Sequence, residues 1–206
     1  MPNQTDQIVF GLGRIAALLR AGQWQAGSDA GLNPTQAEIL SRIAARPMRP
    51  GDLATHLGVS SASLSDSVSA LVAKGLVERL PDPDDRRARR IVLTNAGAAM
   101  AAGLPVAPLA LTGALDALPT PDRASLLRLL VTLIRNLQEA RAIPVQRFCV
   151  TCAHFRPNFH DDAARPHHCA FVDAAFGDAN LRLDCRDHEA APAEEAAANW
   201  QRFIAA

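Results

Sequence analysis

All four cysteines of this 206-residue chain fall between Cys149 and Cys185. Cys149 and Cys152 form a C-x2-C pair, sixteen residues separate Cys152 from Cys169, and fifteen separate Cys169 from Cys185. A C-x2-C turn points two sulfurs at one centre, and four thiolates satisfy either a tetrahedral zinc ion or an iron–sulfur cluster. Zinc ribbons contribute two such pairs, whereas Cys169 and Cys185 stand singly, which favours the cluster over zinc. Redox-active thiols or disulfides are the third reading. Phe155 and Phe171 sit close to cysteines in sequence and would either wall a metal site from water or fill a small core. His167 and His168 precede Cys169, while Asp184 and His188 flank Cys185. A histidine beside a metal site more often orients a ligand than binds the metal, so Cys149, Cys152, Cys169 and Cys185 are the expected ligands.

Five of the seven phenylalanines and five of the six histidines share residues 147–189 with these cysteines. Some forty residues rarely bury enough surface to fold without a staple, so this stretch reads as a small Cys-rich metal- or cluster-binding unit. The expected organisation is therefore residues 1–146, the unit at 147–189, and a C-terminal tail at 190–206. That tail is either a loose end or a short helix packing Trp200, Phe203 and Ile204.

A second chemistry lies upstream. Arg86, Arg87, Arg89 and Arg90 crowd into five positions just after Asp82, Asp84 and Asp85. Lys plus Arg and Asp plus Glu balance at 21 each, so any attraction for nucleic acid must come from such a local patch. Arginine suits that task because its weakly hydrated fork clamps phosphate or enters a narrow minor groove.

The elements that must position these residues follow from pattern. Ile8, Leu12, Ile15 and Leu19 stripe a helix over residues 7–21, ended by the Gly/Ser/Asp-rich stretch 22–31. Asn33, Pro34 and Gln36 form a helix start with a capping box, and Pro47 closes that helix. A short helix over 50–57 stops at Gly58, and another runs from Ser60 or Ser61 to Gly75. Leu64, Val68, Leu71 and Val72 make the inner face of the latter, with Ser63, Ser67, Ala70 and Lys74 opposite. Residues 76–80 and 91–93 read as strands around the charged loop, a hairpin wing. Helical patterns resume after Asn95, broken at Pro105 and Pro108, and a long helix over 120–141 carries Leu126, Leu130, Leu133 and Leu137.

Composition agrees with a mainly α protein: hydrophobic residues make up 49%, aromatics 4%, and there is no Tyr. Residues 91–115 lack charge, but three glycines, two prolines and Asn95 argue for a helix buried against a partner rather than a membrane span. The opening residues lack a basic, then apolar, leader pattern, so the expected location is the cytoplasm, where disulfides are disfavoured. Phosphate-cradling loops, metalloprotease motifs and nucleophile elbows are missing, and the C-x2-C pair lacks a thioredoxin-like context, so no enzyme is expected.

The run of helix, helix, short helix, helix ending in KGLVER, wing carrying DPDDRRARRIVLT, and two further long helices resembles the MarR family of winged-helix transcriptional regulators. The resemblance covers residues 7–141 and is most specific over 74–94. It implies a winged helix-turn-helix with long dimerisation helices, working as a homodimer on a double-stranded DNA operator. DNA contacts would then fall to Ser61, Ser63, Ser65, Ser67, Lys74, Arg86, Arg87, Arg89 and Arg90, with Asp85 pairing a wing arginine to hold the wing's shape. This sequence departs from the family where arginines are frequent on the recognition helix: it has Asp66 and Ala70. The cysteine segment is an addition to the family pattern. Its C-x2-C-x2-F followed by Cys-x-Phe and a later Cys is similar to the ligand order of high-potential iron–sulfur proteins. The expectation is a dimeric regulator whose cysteines bind an iron–sulfur cluster or zinc and sense redox or metal status. The alternative is a winged-helix-like dimeric metalloprotein or interaction module that no longer reads DNA and holds a structural zinc.

Overall fold

The computed structural model describes residues 3–105, 107–145 and 147–205, and the chain divides into two compact units, one up to residue 114 and one from 115. In the first unit, α1 (Gln4–Asp29) starts at Asn3, whose side chain accepts from the Asp6 N–H. It runs eight residues past the expected stop at 21, because the glycines of 22–31 act through packing. A Cβ on Gly22 would lie 2.2 Å from Pro108 Cγ, and Gln25 bonds Asp29 one turn on at 2.8 Å. The chain leaves the helical conformation only near Gly31, at φ 67°. The apolar side of α1 is left uncovered: Ile8, Phe10, Leu12, Ile15 and Trp24 are all exposed.

The capping box on α2 (Pro34–Ala45) forms as expected, with Asn33 accepting from the Gln36 N–H and Gln36 Oε1 accepting from the Asn33 N–H. α3 (Pro50–Leu57) ends on Gly58 at φ 65°, and α4 (Ser61–Ala73) is capped by Ser60. Leu64, Val68 and Leu71 of α4 join Ile39, Leu40, Ile43, Leu53 and Ile91 in one core. Val72, expected on the inner face, is instead exposed, since it lies about 100° round the helix from Leu71. β1 (Val77–Pro81) pairs antiparallel with β2 (Arg89–Leu93), and Met48 adds a bridge to Ile91. α5 (Asn95–Gly103) begins on the Thr94 cap and approaches β1 so closely that a Cβ on Gly97 would meet the Leu76 carbonyl oxygen at 1.9 Å. α6 (Leu109–Asp116) runs through the division between the units.

The second unit holds α7 (Thr120–Glu139), a 3-10 turn at Cys149–Thr151, and a three-stranded antiparallel sheet. The sheet is β3 (Phe155–Arg156), β4 (His167–Cys169) and β5 (Ala174–Phe176), with β4 central. A second 3-10 turn, Asp178–Asn180, and α8 (Ala193–Ile204) complete it. Val131 of α7, Phe148, Val150, Phe155 and Leu181 share a core with Trp200 and Phe203 of α8, so the cysteine segment is packed between two helices instead of standing alone. The stripe expected to anchor α7 is not its buried face. Leu126, Leu133 and Leu137 are exposed, while Leu127, Val131 and Ile134 pack on the core, because α7 is apolar over two neighbouring faces and the sheet and α8 cover just one. In α8, Trp200 and Phe203 are buried and Ile204 is exposed. No helix among the described residues is long and apolar enough to cross a membrane.

Candidate functional site

Two sites carry chemistry, one in each unit. In the first, α4 presents Ser61, Ser63 and Ser65 to solvent, with Ser67 half-buried and Asp66 exposed among them. The Ser63 hydroxyl lies 2.9 Å from that of Ser60, so it shares in the helix cap. Lys74 turns away from the wing: its Nζ donates to the Gly31 carbonyl at 2.7 Å and to Gln36 Oε1 at 3.0 Å, tying the end of α4 to the start of α2.

The wing is organised by Asp82, whose side chain is fully buried. It accepts from Arg49 Nε at 2.6 Å, Arg90 Nε at 2.8 Å and the Asp84 N–H at 2.9 Å. Arg90 also donates to Asp84 Oδ2 at 2.6 Å. Arg49 foremost, then Arg90, holds the Asp82 carboxyl well below the usual carboxylate range, and Asp82 in turn raises both arginines. Asp85 shapes the wing through the backbone, accepting from the Arg87 N–H at 3.0 Å, while the arginine pairing falls to Asp82 and Asp84. Arg86, Arg87 and Arg89 are exposed, and no acidic side chain among the described residues pairs with them. Sequence reasoning missed Arg49 and Arg79. Arg79 of β1 donates to Ser69 Oγ at 3.3 Å and adds a cation beside α4. The Pro81-Asp82-Pro83 run was the available signal for a fixed aspartate, but nothing local pairs it with a residue 33 positions earlier.

In the second unit, all four cysteines line one cavity of about 330 Å³. All are free thiols; Cys152 is buried and the others are half-buried. Cys149 opens the first 3-10 turn, and Cys152 ends it by donating its N–H to the Cys149 carbonyl at 2.9 Å. Cys169 ends β4 directly across from Phe155, and the Cys185 N–H donates to the Arg147 carbonyl at 2.8 Å. Phe155, Phe171, Val172 and Phe176 supply apolar wall, with His154, Arg182 and Asp187 as polar wall. The thiols border a common space without closing on one point: among the described residues no group of three or more His, Cys, Asp or Glu is placed to hold a metal ion directly. Burial pushes the Cys149 thiol up to about 11, partly offset by the Arg182 N–H that donates to its sulfur.

The histidines near the cysteines have other partners. His167 is fully buried and accepts at Nδ1 from the Asn158 N–H at 3.2 Å, which leaves Nε2 to donate to Asp178 Oδ1 at 2.9 Å. Burial lowers its pKa against the pull of Asp178. Asp178 also receives Arg128 of α7 at 3.1 Å, and that guanidinium stacks 4.2 Å above the Phe203 ring. His168 meets His160 at 3.3 Å and Asp173 at 3.4 Å. His188 bonds Thr151 at 3.0 Å, and Asp184 pairs with Arg147 at 3.0 Å.

Three helices in tandem, the last of them bearing an open polar face, followed by a two-stranded basic wing, define a winged helix-turn-helix. Residues 30–88, from the approach to α2 to the wing tip, match the MarR family. The chain is 37% identical over 70 residues to the multiple antibiotic resistance protein MarR of Escherichia coli K12, a match covering 34% of this chain and 49% of that protein. It thus spans about half the length of this curated relative. Among solved structures, it resembles a MarR transcriptional regulator from Methanosarcina mazei Go1, at TM-score 0.52 and 18% identity, over 65% of this chain and 97% of the other. It also resembles CouR from Rhodococcus jostii RHA1, solved bound to p-coumaroyl-CoA, at TM-score 0.51 and 22% identity, over 70% of this chain and 98% of the other. Both likenesses concern the fold.

Proposed function

We propose that this protein is a homodimeric transcriptional regulator that binds double-stranded DNA, and that its cysteine unit holds an iron–sulfur cluster through which redox or metal status alters that binding. The observation that carries the DNA reading is the wing: Arg86, Arg87 and Arg89 are exposed and have no acidic side-chain partner among the described residues, on a hairpin pinned by buried Asp82, while α4 exposes Ser61, Ser63 and Ser65. Arginines so placed reach phosphates, and serine hydroxyls donate to phosphate or touch either base type. The exposed apolar faces of α1 and, separately, of α7 are what a second copy would cover.

For the cysteine unit the donor chemistry fits. Four thiols share one apolar-walled cavity of about 330 Å³. The thiols share this cavity without converging on one centre, which suits a polyatomic core better than a zinc ion, since zinc would draw its four sulfurs to about 2.3 Å from one point. A bound cluster supplies one-electron redox chemistry. The chain's own residues connect its site to α7: Cys169 lies two residues from His167, and His167, Asp178 and Arg128 form one hydrogen-bonded line onto that helix. If α7 contributes to the dimer, cysteine occupancy biases the spacing of the two wings.

The test is protein purified without oxygen, assayed for iron, sulfide, zinc and visible absorption, then titrated onto labelled fragments of its own genome before and after air oxidation. A brown protein whose DNA affinity changes on oxidation supports the reading. The Asp66 carboxylate on the outer face of α4 favours a second reading, a metalloprotein that does not read DNA; a zinc-loaded protein with no DNA affinity at low salt would establish it.

A further inference from the structure

Arg182 grips two of the four thiols, from the first and last turns of the cysteine segment. Its N–H donates to Cys149 Sγ at 3.3 Å, and its carbonyl accepts the Cys149 N–H at 3.1 Å. Its guanidinium Nη1 donates to Cys185 Sγ at 3.7 Å. One residue therefore joins sulfurs that stand 36 positions apart in the chain (149 to 185), and it does so from the cavity wall. Phe155, Phe171, Val172 and Phe176 line the same cavity, while the Arg182 guanidinium also reaches solvent. The carboxylate nearest its guanidinium is Asp187, at 4.0 Å.

The geometry points to Arg182 as the residue that sets the reduction potential of the cluster held by Cys149, Cys152, Cys169 and Cys185, an inference that rests on the cluster reading above. Cluster potentials respond to net charge, to hydrogen bonds on the sulfurs and to solvent exposure. Reduction adds one electron from a one-electron donor, with no bond made or broken. A guanidinium and a backbone N–H donating to two of the sulfurs both stabilise the more negative, reduced form, so they raise the potential. Arg182 acts as a positioning and tuning residue: its backbone holds Cys149 whatever the side chain, and its side chain supplies the charge.

The experiment is a redox titration of the full chain, purified without oxygen, against viologen mediators and read by visible absorption, with iron and sulfide quantified in each sample. Wild type is compared with Arg182→Gln and Arg182→Lys. The Gln variant should shift the reduced-to-oxidised ratio at fixed poise at least tenfold toward the oxidised form, a fall of about 59 mV for one electron. The Lys variant, which keeps the charge, should hold most of the wild-type potential. The side chain is 60% exposed, so neither change should lower the thermal midpoint. A Gln variant that loses its cluster, whether or not the Lys variant keeps it, overturns the tuning role, because the side chain then holds the cluster instead of setting its potential. An unmoved potential in a loaded Gln variant, or an equal fall in both variants, overturns the role of Arg182 and leaves the cluster reading standing. Colourless wild-type protein carrying only zinc overturns both.

Discussion

Not all wing arginines should behave alike on DNA. Arg87 is exposed and its side chain has no acidic partner among the described residues, whereas Arg90 is tied to buried Asp82 at 2.8 Å and to Asp84 at 2.6 Å. Each phosphate neutralised on duplex DNA contributes about 0.9 to the slope of log affinity against log salt, so one arginine per protomer contributes about 1.8 in a homodimer. Between 50 and 200 mM salt, a fourfold change, the wild type should then lose about one decade more affinity than Arg87→Ala. Fluorescence anisotropy across that salt range reads the slope, and circular dichroism melting reads the fold. Arg87→Ala should flatten the slope with an unchanged thermal midpoint. Arg90→Ala should lower the midpoint, because it strips a donor from a buried carboxylate and loosens the wing. An Arg87→Ala protein with the wild-type slope would refute the assignment of this arginine to phosphate. An Arg90→Ala protein with an unchanged midpoint would refute the division of labour within the wing.

Acid should weaken the same hairpin. The Asp82 carboxyl is held below its ordinary value, so its contribution to stability is fully present above the unfolded-state pKa of about 3.9 and is lost as pH falls from there toward the folded-state value. Asp82→Asn should show a lower thermal midpoint at neutral pH and less acid sensitivity between about pH 5 and 3; a variant as acid-sensitive as wild type would contradict this. In the second unit, Phe203 is fully buried against Phe155, Trp200 and the Arg128 guanidinium. Phe203→Ala should cost about 3–5 kcal/mol in urea unfolding followed by tryptophan fluorescence, and a loss under about 1 kcal/mol would show that α8 is not integral to this core.

Much of the first unit was legible in the chain. The cap formed by Asn33, Pro34 and Gln36, the stop at Gly58 and the Ser60 start of α4 are each set by neighbours within four residues, where backbone preference decides the outcome. The length of α1 was not legible: Gly22 signals a break locally, but its missing side chain makes room for Pro108, 86 positions away. The buried face of α7 was likewise ambiguous, since two apolar stripes compete and only the packing of Val131 against Phe148 and Phe203 selects one.

By itself, the sequence determined which residues could do chemistry. The spacing of Cys149, Cys152, Cys169 and Cys185 marked them as a candidate ligand set, and Arg86, Arg87, Arg89 and Arg90 marked a local basic patch, because residue type and local spacing are written in the chain. The tertiary structure decided how these residues are used. It took Arg90 and Lys74 into internal bonds, made Asp82 the hub of the wing through Arg49, and gave His167 to Asp178. It also placed Arg182 across two cysteine sulfurs. Such pairings depend on which distant segments share a core, and burial makes a partner for every polar group obligatory without stating in sequence which partner it will be.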